Sequence, residues 1–418
     1  MQKYTATPSL QTIIIGWFFA FAISLEAGIF FAQVFAAIGG LIALYTIKKH
    51  LIPIPKIHPA IYPLAAVFIL QLISALFSDD PSRSTSMIFR YYALPFTGLL
   101  AVQHLCRNKK ILKSGFSALL IAGVIGGLYG IFQTFSGIDP VYGQRLNPIK
   151  EIADLQMYGA TGFREMKMVY AAIQMMIFLF CIPIVWKSKG KQAVLRWIAL
   201  IIILLSVVLL LKRSPWMGIG AGLFVFFLAR SWKTALGFIL SGIVIVSLLA
   251  IFSNDFRDQV DKTIHFKTNR ETDRLYYWNA AWEMGKDHLL LGVGPGNWGR
   301  HVDDYLPERD WWSKSSAHSD PMQIWATTGL PGFIAWYSVL FLLFLQGIRD
   351  LKKWTEKTFF RDIYLGALIS LAGFAVFSLT QCHLGDGKNG LTVGLILGLG
   401  LAARGILAEN SVIRESDK

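Results

Sequence analysis

Two kinds of side chain in this sequence could carry out chemistry: one histidine and a set of arginines. His318 lies in the polar stretch KSSAHSDPMQ, directly before an apolar segment. That segment has the signals of a helix start, with Asp320 predicted as N-cap, Pro321 as the first helical residue and Gln323 reaching back to the cap. A helix N-terminus disfavours a charged imidazole, so His318 is a candidate general base. The alternative is a histidine that only packs in an interfacial loop.

The arginines could bind an anion. A guanidinium is a planar fork of donors that stays charged and matches phosphate oxygens bidentately. Several converging arginines would therefore hold a pyrophosphate, whereas single ones could instead snorkel or pair with nearby acidic residues. The candidates that we predict at the same membrane face as His318 are Arg90, Arg145, Arg164, Arg213, Arg270 and Arg274. Arg90 is predicted within a membrane span, where a charge is costly enough to indicate function.

The elements that must position these residues are predicted to be membrane helices. The chain is 54% hydrophobic with 14% aromatic residues, and its mean hydropathy of +0.49 is too high for an ordinary soluble protein. A bilayer-crossing helix needs roughly 20 apolar residues. Twelve stretches qualify: 9–25, 27–47, 59–77, 85–105, 115–137, 168–186, 194–212, 214–230, 234–252, 321–347, 362–382 and 389–409. The fold class is therefore an all-α polytopic membrane protein.

Lysine and arginine in short loops indicate the orientation. Basic residues gather in every second loop, around Lys48, Arg107, Lys187, Arg230 and Lys353. The positive-inside rule places these five loops and both termini in the cytoplasm. Much of the net charge of +14 is then a topology signal, and the sequence lacks the soluble basic face that a nucleic-acid-binding protein requires.

Two loops on the opposite, outer side are long, 138–167 and 253–320. The second predicts an extramembrane subdomain, which divides the chain into helices one to nine (1–252), a loop subdomain (253–320), and helices ten to twelve with a tail (321–418). Within it, residues 272–288 have an apolar spacing that predicts a helix lying along the membrane surface.

Several local patterns resemble motifs for other kinds of chemistry, but each lacks a part that the motif requires. The triplet His318, Ser319, Asp320 lacks a nucleophile elbow. GVGPGNW (292–298) lacks the strand and the Lys-Ser or Lys-Thr pair of a phosphate loop, so a turn is favoured. The histidines show no paired metal-ligand spacing, and the three cysteines predict neither a disulfide framework nor a zinc site.

Four segments together resemble a known family. His318 and Ser319 are followed, after ten residues, by the glycine of TTGLPGF, Gly329. KRSPWMGIGAG (212–222) and DRLYYWNAAWEMGKDHLLLGVGPGNW (273–298) precede them, and YGATGFREMKMVYA (158–171) is a weaker match that departs from the family at Arg164. In order, spacing and predicted membrane face, these segments are similar to the O-antigen ligase and polymerase superfamily.

The resemblance implies a GT-C-like, inverting glycosyltransferase of the bacterial inner membrane, with its site facing the periplasm. It implies a glycan donor linked to undecaprenyl pyrophosphate, the lipid A core as acceptor, contact with membrane lipids, no nucleic acid, and no cofactor or metal. His318 would be the catalytic base. Arg213 and Arg274 would be the main pyrophosphate ligands, with Arg90 and Arg145 as helpers.

Three alternatives remain. A polymerase of the same superfamily would extend the lipid-linked glycan, and another relative transfers glycans to protein hydroxyls. A transporter or flippase belongs to a different class, but such proteins place polar groups near the membrane midplane, often in repeated halves. Here the polar residues gather at the outer edge and no repeat is found.

Overall fold

Helices make up most of the described chain. The computed structural model describes residues 7–152, 155–163, 166–252, 269–308, 311, 314–354, 356, 358–383, 385 and 387–416. The helices are α1 (Pro8–Ala27), α2 (Ile29–Lys48), α3 (Ile61–Leu76), α4 (Pro81–Ile88), α5 (Leu94–Leu105), α6 (Lys109–Ser136), α7 (Lys167–Val185), α8 (Lys191–Val208), α9 (Arg213–Leu228), α10 (Trp232–Phe252), α11 (Asn269–Asp287), α12 (Asp320–Lys353), α13 (Phe359–Ser378) and α14 (Gly387–Ser416).

All twelve apolar stretches found in the sequence coincide with helices. Eight described helices are long and apolar enough to cross a membrane, and α3, α9 and part of α10 are shorter apolar helices. The predicted fourth stretch is built from α4, a π-helix (Phe89–Ala93) and α5 in direct succession. The protein is therefore a mostly helical, polytopic membrane protein, while the number of twelve spans stays a prediction.

Glycines bring α9 against α13, and this contact places the start of α9 beside the end of α13. A methyl group added to Gly218 would lie 2.8 Å from the carbonyl oxygen of Gly373, and one added to Gly222 would lie 2.9 Å from that of Ile369. Small residues at helix contacts allow such close backbone approach in membranes. Since α7 packs against both α9 and α13, the first turn of α9 is held at a fixed position in the bundle.

Helix α12 is broken at Gly329, which has φ 65° and ψ −171°. The loop after α11 fills the break: the Leu330 N–H donates to the Leu289 carbonyl at 2.8 Å, and the Val293 N–H donates to the Ala326 carbonyl at 3.0 Å. A side chain at Gly329 would lie 2.5 Å from the Leu289 carbonyl oxygen. The break therefore separates a short first segment, Asp320–Thr328, from the long second segment of α12.

A small separate core lies between α11 and the first segment of α12. Tyr277, Ala281 and Met284 of α11 pack there with Trp298 and Ala326. Helix α11 is present as the sequence predicts, but it buries its Tyr277 face, whereas Leu275 and Trp282 are about half exposed. In the same region Tyr305 donates to Asp287 at 2.9 Å, and burial together with this hydrogen bond raises the pKa of Tyr305 to about 12.

Two short antiparallel β-hairpins follow α6, and the sequence did not predict them. Strand β1 (Ile138–Asp139) pairs with β2 (Gln144–Arg145), and β3 (Pro148–Ile152) pairs with β4 (Leu155–Tyr158). Ala160, after the second hairpin, packs against Tyr170 of α7 and Leu210, close to the start of α9. The hairpins therefore lie at the end of the bundle where α6 ends and α7 and α9 begin.

The opposite end of the bundle holds a buried ionic cluster. Asp350 of α12 accepts a hydrogen bond from Arg404 of α14 at 2.6 Å and another from Tyr364 of α13 at 3.2 Å. His58, in the loop before α3, lies beside this pair and is 1% exposed. Burial, followed by the positive charge of Arg404, lowers the pKa of His58 to about 4.

Candidate functional site

His318 lies immediately before α12, at the end of the bundle that we call the His318 end. Its backbone has φ 51°, a left-handed conformation that is uncommon for residues other than glycine. The centroid of its ring is 5.6 Å from that of the Tyr277 ring. Its backbone N–H donates to Ser316 Oγ at 3.3 Å. A strained backbone held by its surroundings is typical of functional sites.

The predicted helix start is wrong by one residue. Helix α12 begins at Asp320, and Ser319 is its N-cap, with extended φ −158° and ψ 120°. The side chain of Gln323 accepts from the Ala317 N–H at 2.9 Å instead of from the cap. Asp320 does not act as the cap because its carboxylate accepts a hydrogen bond from the His383 N–H at 2.9 Å.

The loop that joins α13 to α14 links Arg213 to the start of α12. Ser214, the residue after Arg213, contacts Thr380 Oγ1 through its hydroxyl at 2.9 Å. The Gln381 side chain donates to the same hydroxyl at 3.3 Å. The backbone carbonyl of Gln381 accepts from the backbone N–H of Asp320 at 3.1 Å. Arg213 is also the first residue of α9, whose N-terminus has no side-chain cap and is therefore electropositive.

Arg274 approaches the site from α11. It precedes Tyr277 by one helical turn, so both side chains project from neighbouring positions on one face of α11. Tyr277 is fully buried and contacts His318, and Arg274 is partly buried. The structure thus brings Arg213, Arg274 and His318 to the same end of the bundle, from α9, α11 and the loop before α12.

Arg90 and Arg145 are not part of this contact network. Arg90 is exposed on the π-helix, and its carbonyl accepts from the Gln33 side chain at 3.0 Å. Arg145 is exposed on β2. Among the described residues, neither guanidinium makes a hydrogen bond or an ion pair within the site. Arg164 lies outside the described residues, as does the side chain of Arg270.

The GVGPGNW segment is a packing turn. Gly292, Gly294 and Gly296 all have positive φ, and a methyl group on Gly292 would lie 2.3 Å from the Thr327 backbone. Asn297 is fully buried and donates to Ser84 Oγ at 3.0 Å and to the Val293 carbonyl at 3.1 Å. The glycines therefore allow close approach to the broken helix, which supports the first segment of α12 behind His318.

An apolar cavity lies between the helices of the bundle. It has a volume of about 290 Å³ and is bounded by α3, α5, the second segment of α12, α13 and α14. Most of its lining is aliphatic or aromatic, and its polar residues include Gln71, Tyr92 and Tyr337. Asp320 is close enough to Tyr92 and Tyr337 to interact with both electrostatically. The cavity therefore extends from the His318 end towards the middle of the bundle.

These features define a class: a polytopic membrane protein in which His318, Arg213 and Arg274 lie at one end of the helical bundle. Residues 198–337, about a third of the chain, match the family model described as O-antigen ligase. Over this segment the chain is similar to the O-antigen ligase family, and the resemblance seen in the motifs is confirmed. The match contains Arg213, Arg274 and His318. A comparison with curated proteins found no match.

Sequence reasoning missed the residues that join the site together. The sequence predicts Asp320 only as a cap, and no motif distinguishes Ser214, Gln381 or His383. Gln381 and His383 lie in a short loop outside the recognised motifs and outside the matched segment. The only available signal was their polarity at the end of an apolar helix, which is common at membrane surfaces.

Proposed function

We propose that the protein transfers a glycan from undecaprenyl pyrophosphate to a sugar hydroxyl of the lipid A core, at the periplasmic face of the bacterial inner membrane. The family match supports a glycosyltransferase activity of this broad type. The observation that carries the proposal is the chain of contacts from Arg213 through Ser214 and Gln381 to Asp320, two residues after His318.

In the proposed reaction His318 removes the proton from the acceptor hydroxyl. The hydroxyl oxygen attacks the anomeric carbon as the bond from that carbon to the pyrophosphate oxygen breaks, which inverts the configuration. The electron pair of the broken bond leaves with the pyrophosphate. Arg213 and Arg274 bind the pyrophosphate and stabilise the charge that develops on it. Arg90 and Arg145 are less direct candidates, because both are exposed and outside the contact network.

The apolar cavity supports a lipid-linked donor. Most of its lining is apolar and therefore suits a hydrocarbon chain. Burial of apolar surface is favourable by roughly 25 cal/mol per Å². A polyprenyl chain that enters the cavity beside the end of α13 would leave its pyrophosphate at the His318 end of the bundle. The donor would then lie with its charged group between the arginines and His318.

The proposal is tested by mixing the purified protein with a lipid-linked oligosaccharide, lipid A core and a chelator, and separating the products on a gel. We expect the lipid A core to shift to a glycan-bearing species. Longer lipid-linked chains with unchanged lipid A core would instead identify a polymerase. No product of either kind would contradict a glycosyltransferase and favour a transporter.

The role of His318 is tested by His318→Ala, which should abolish transfer and keep binding of undecaprenyl pyrophosphate. His50→Ala is the matched control, because His50 is also a histidine with positive φ, 52°, but lies in the loop after α2 at the opposite end. Full activity of the His318 variant would refute its proposed role.

A further inference from the structure

Asp320 is buried, with 2% of its surface exposed, and both its backbone and its side chain bind the α13–α14 loop. Its N–H donates to the Gln381 carbonyl at 3.1 Å, and its carboxylate accepts from the His383 N–H at 2.9 Å. A carboxylate in the first turn of a helix is stabilised by the helix dipole. Asp320 therefore holds the loop from two points, one on each side of Cys382.

The same loop is bound to α9 on its other side. Ser214 is 8% exposed and Gln381 is 7% exposed, so the hydrogen bonds that join them through the Ser214 hydroxyl are largely shielded from solvent. Buried hydrogen bonds are costly to leave unmade. The loop is thus a fixed bridge between the residue after Arg213 and the first residue of α12.

A third contact fixes the segment that contains His318. Gln323 Oε1 accepts from the Ala317 N–H at 2.9 Å and is 3.7 Å from the Cys382 thiol. The residue before His318 is therefore tied to α12 by the same side chain that contacts the loop. A shift of the loop relative to α12 would move the backbone next to His318.

We propose that Asp320 is a positioning residue, whose carboxylate, acting through the α13–α14 loop, holds His318 in register with Arg213. The inference rests on the proposed function, in which His318 acts on the attacking hydroxyl and Arg213 on the leaving pyrophosphate, on opposite sides of the anomeric carbon. Proton removal and stabilisation of the leaving group must occur in the same transition state. A displacement of about 1 Å from such geometry can lower the rate by about a hundredfold.

The test compares Asp320→Ala with Asp320→Asn. Asparagine retains an oxygen that accepts from the His383 N–H, whereas alanine does not. We expect Asp320→Ala to lower kcat by about tenfold or more and to change the affinity for undecaprenyl pyrophosphate by less than about threefold. Asp320→Asn should keep kcat within about threefold of the original, because the loop contact is retained.

Ser214→Ala releases the loop from the other side and leaves Asp320 intact. It should show the same selective loss of kcat, and its combination with Asp320→Ala should be less than additive, because both break one bridge. Ser338→Ala is the control, since the Ser338 hydroxyl only donates to the Ile334 carbonyl within α12. The melting temperature of each variant separates altered positioning from unfolding.

An unchanged kcat in Asp320→Ala, or an equal loss of donor affinity and kcat, would overturn the inference. If Asp320→Ala does not fold, Ser214→Ala decides the question: a selective loss of kcat supports the bridge, and the original kcat refutes it. Failure of the proposed function itself is distinguishable, because the unaltered protein would then produce no glycan-bearing lipid A core, whatever the Asp320 variants do.

Discussion

At the scale of single residues, the backbone of His318 is the unusual feature. A residue other than glycine in the left-handed region costs of order 1–3 kcal/mol, and the protein retains this conformation at φ 51°. The hydrogen bonds around Ala317, Ser319 and Asp320 fix the chain on both sides. The loop therefore holds a histidine in a backbone conformation that favours glycine.

His318→Gly should make the protein more stable than His318→Ala by about 1 kcal/mol, because both variants lack the imidazole and only glycine relieves the backbone. Both should lack transfer activity. Thermal unfolding in detergent measures the difference. At His50, where φ is 52°, the same pair of substitutions should show the same order of stability with activity retained.

Equal melting temperatures for His318→Gly and His318→Ala would show that the loop relaxes without the ring and that the conformation is not imposed by its neighbours.

At the scale of elements, the break in α12 organises the site. The sequence predicts a helix there and includes Gly329 in a motif, yet periodicity alone cannot reveal that this glycine interrupts the helix. The break depends on Leu289 and Val293, which are distant in sequence and supply the replacement hydrogen bonds. The same reason explains the misplaced cap, because Asp320 is diverted by His383, a residue from another loop.

Gly329→Ala should destabilise the protein by more than about 2 kcal/mol. Alanine is strained at this positive φ, and its methyl group would clash with the backbone of the loop after α11. Gly220→Ala in α9 is the control, since no atom lies within 4 Å of the added methyl group and alanine favours a helix. Melting temperatures and the yield of folded protein compare the two.

A Gly329→Ala protein as stable as the Gly220→Ala protein would contradict the described break.

At the scale of the whole molecule, the two ends of the bundle have different chemistry. The helices and their polytopic arrangement follow from hydrophobic stretches, which a sequence shows directly. The assembly of Arg213, Arg274 and His318 requires tertiary contacts between α9, α11, α12 and α13. The predicted topology places them only at the same membrane face, and the family resemblance singles them out as site residues. The cavity and the ionic cluster around Asp350 were not predicted, because both are formed by residues far apart in sequence.

The opposite end should make stability depend on pH. The folded protein keeps His58 neutral with a pKa of about 4, whereas the unfolded chain protonates it near 6.5. The unfolded state binds more protons between these values, so stability is full above pH 6.5 and falls by up to about 3 kcal/mol as pH drops towards 4. His58→Asn, which can still accept from the Ala60 N–H, should reduce this loss, and His50→Asn should not.

Melting curves between pH 7 and pH 4 provide the measurement; an unchanged acid response of His58→Asn would assign the effect to other groups.

Filling the cavity should weaken donor binding without disturbing the polar site. Ala375→Trp places an indole among the lining residues, so the affinity for undecaprenyl pyrophosphate should fall by about tenfold or more while inorganic pyrophosphate binds as before. Ala37→Trp on the exposed surface of α2 is the control. A loss of affinity for both ligands, or for neither, would argue against a hydrocarbon in the cavity.

The bridge between Arg213 and Asp320 has a consequence for biosynthesis. A ribosome delivers the chain from its N-terminus, so the proposed base and the arginines of α9 and α11 reach the membrane before Gln381 and His383 are made. The hydrogen bonds that hold them in register form only after α13 has been inserted. A partly synthesised protein therefore already carries the proposed base and arginines, but it gains their final arrangement only after the α13–α14 loop has been made.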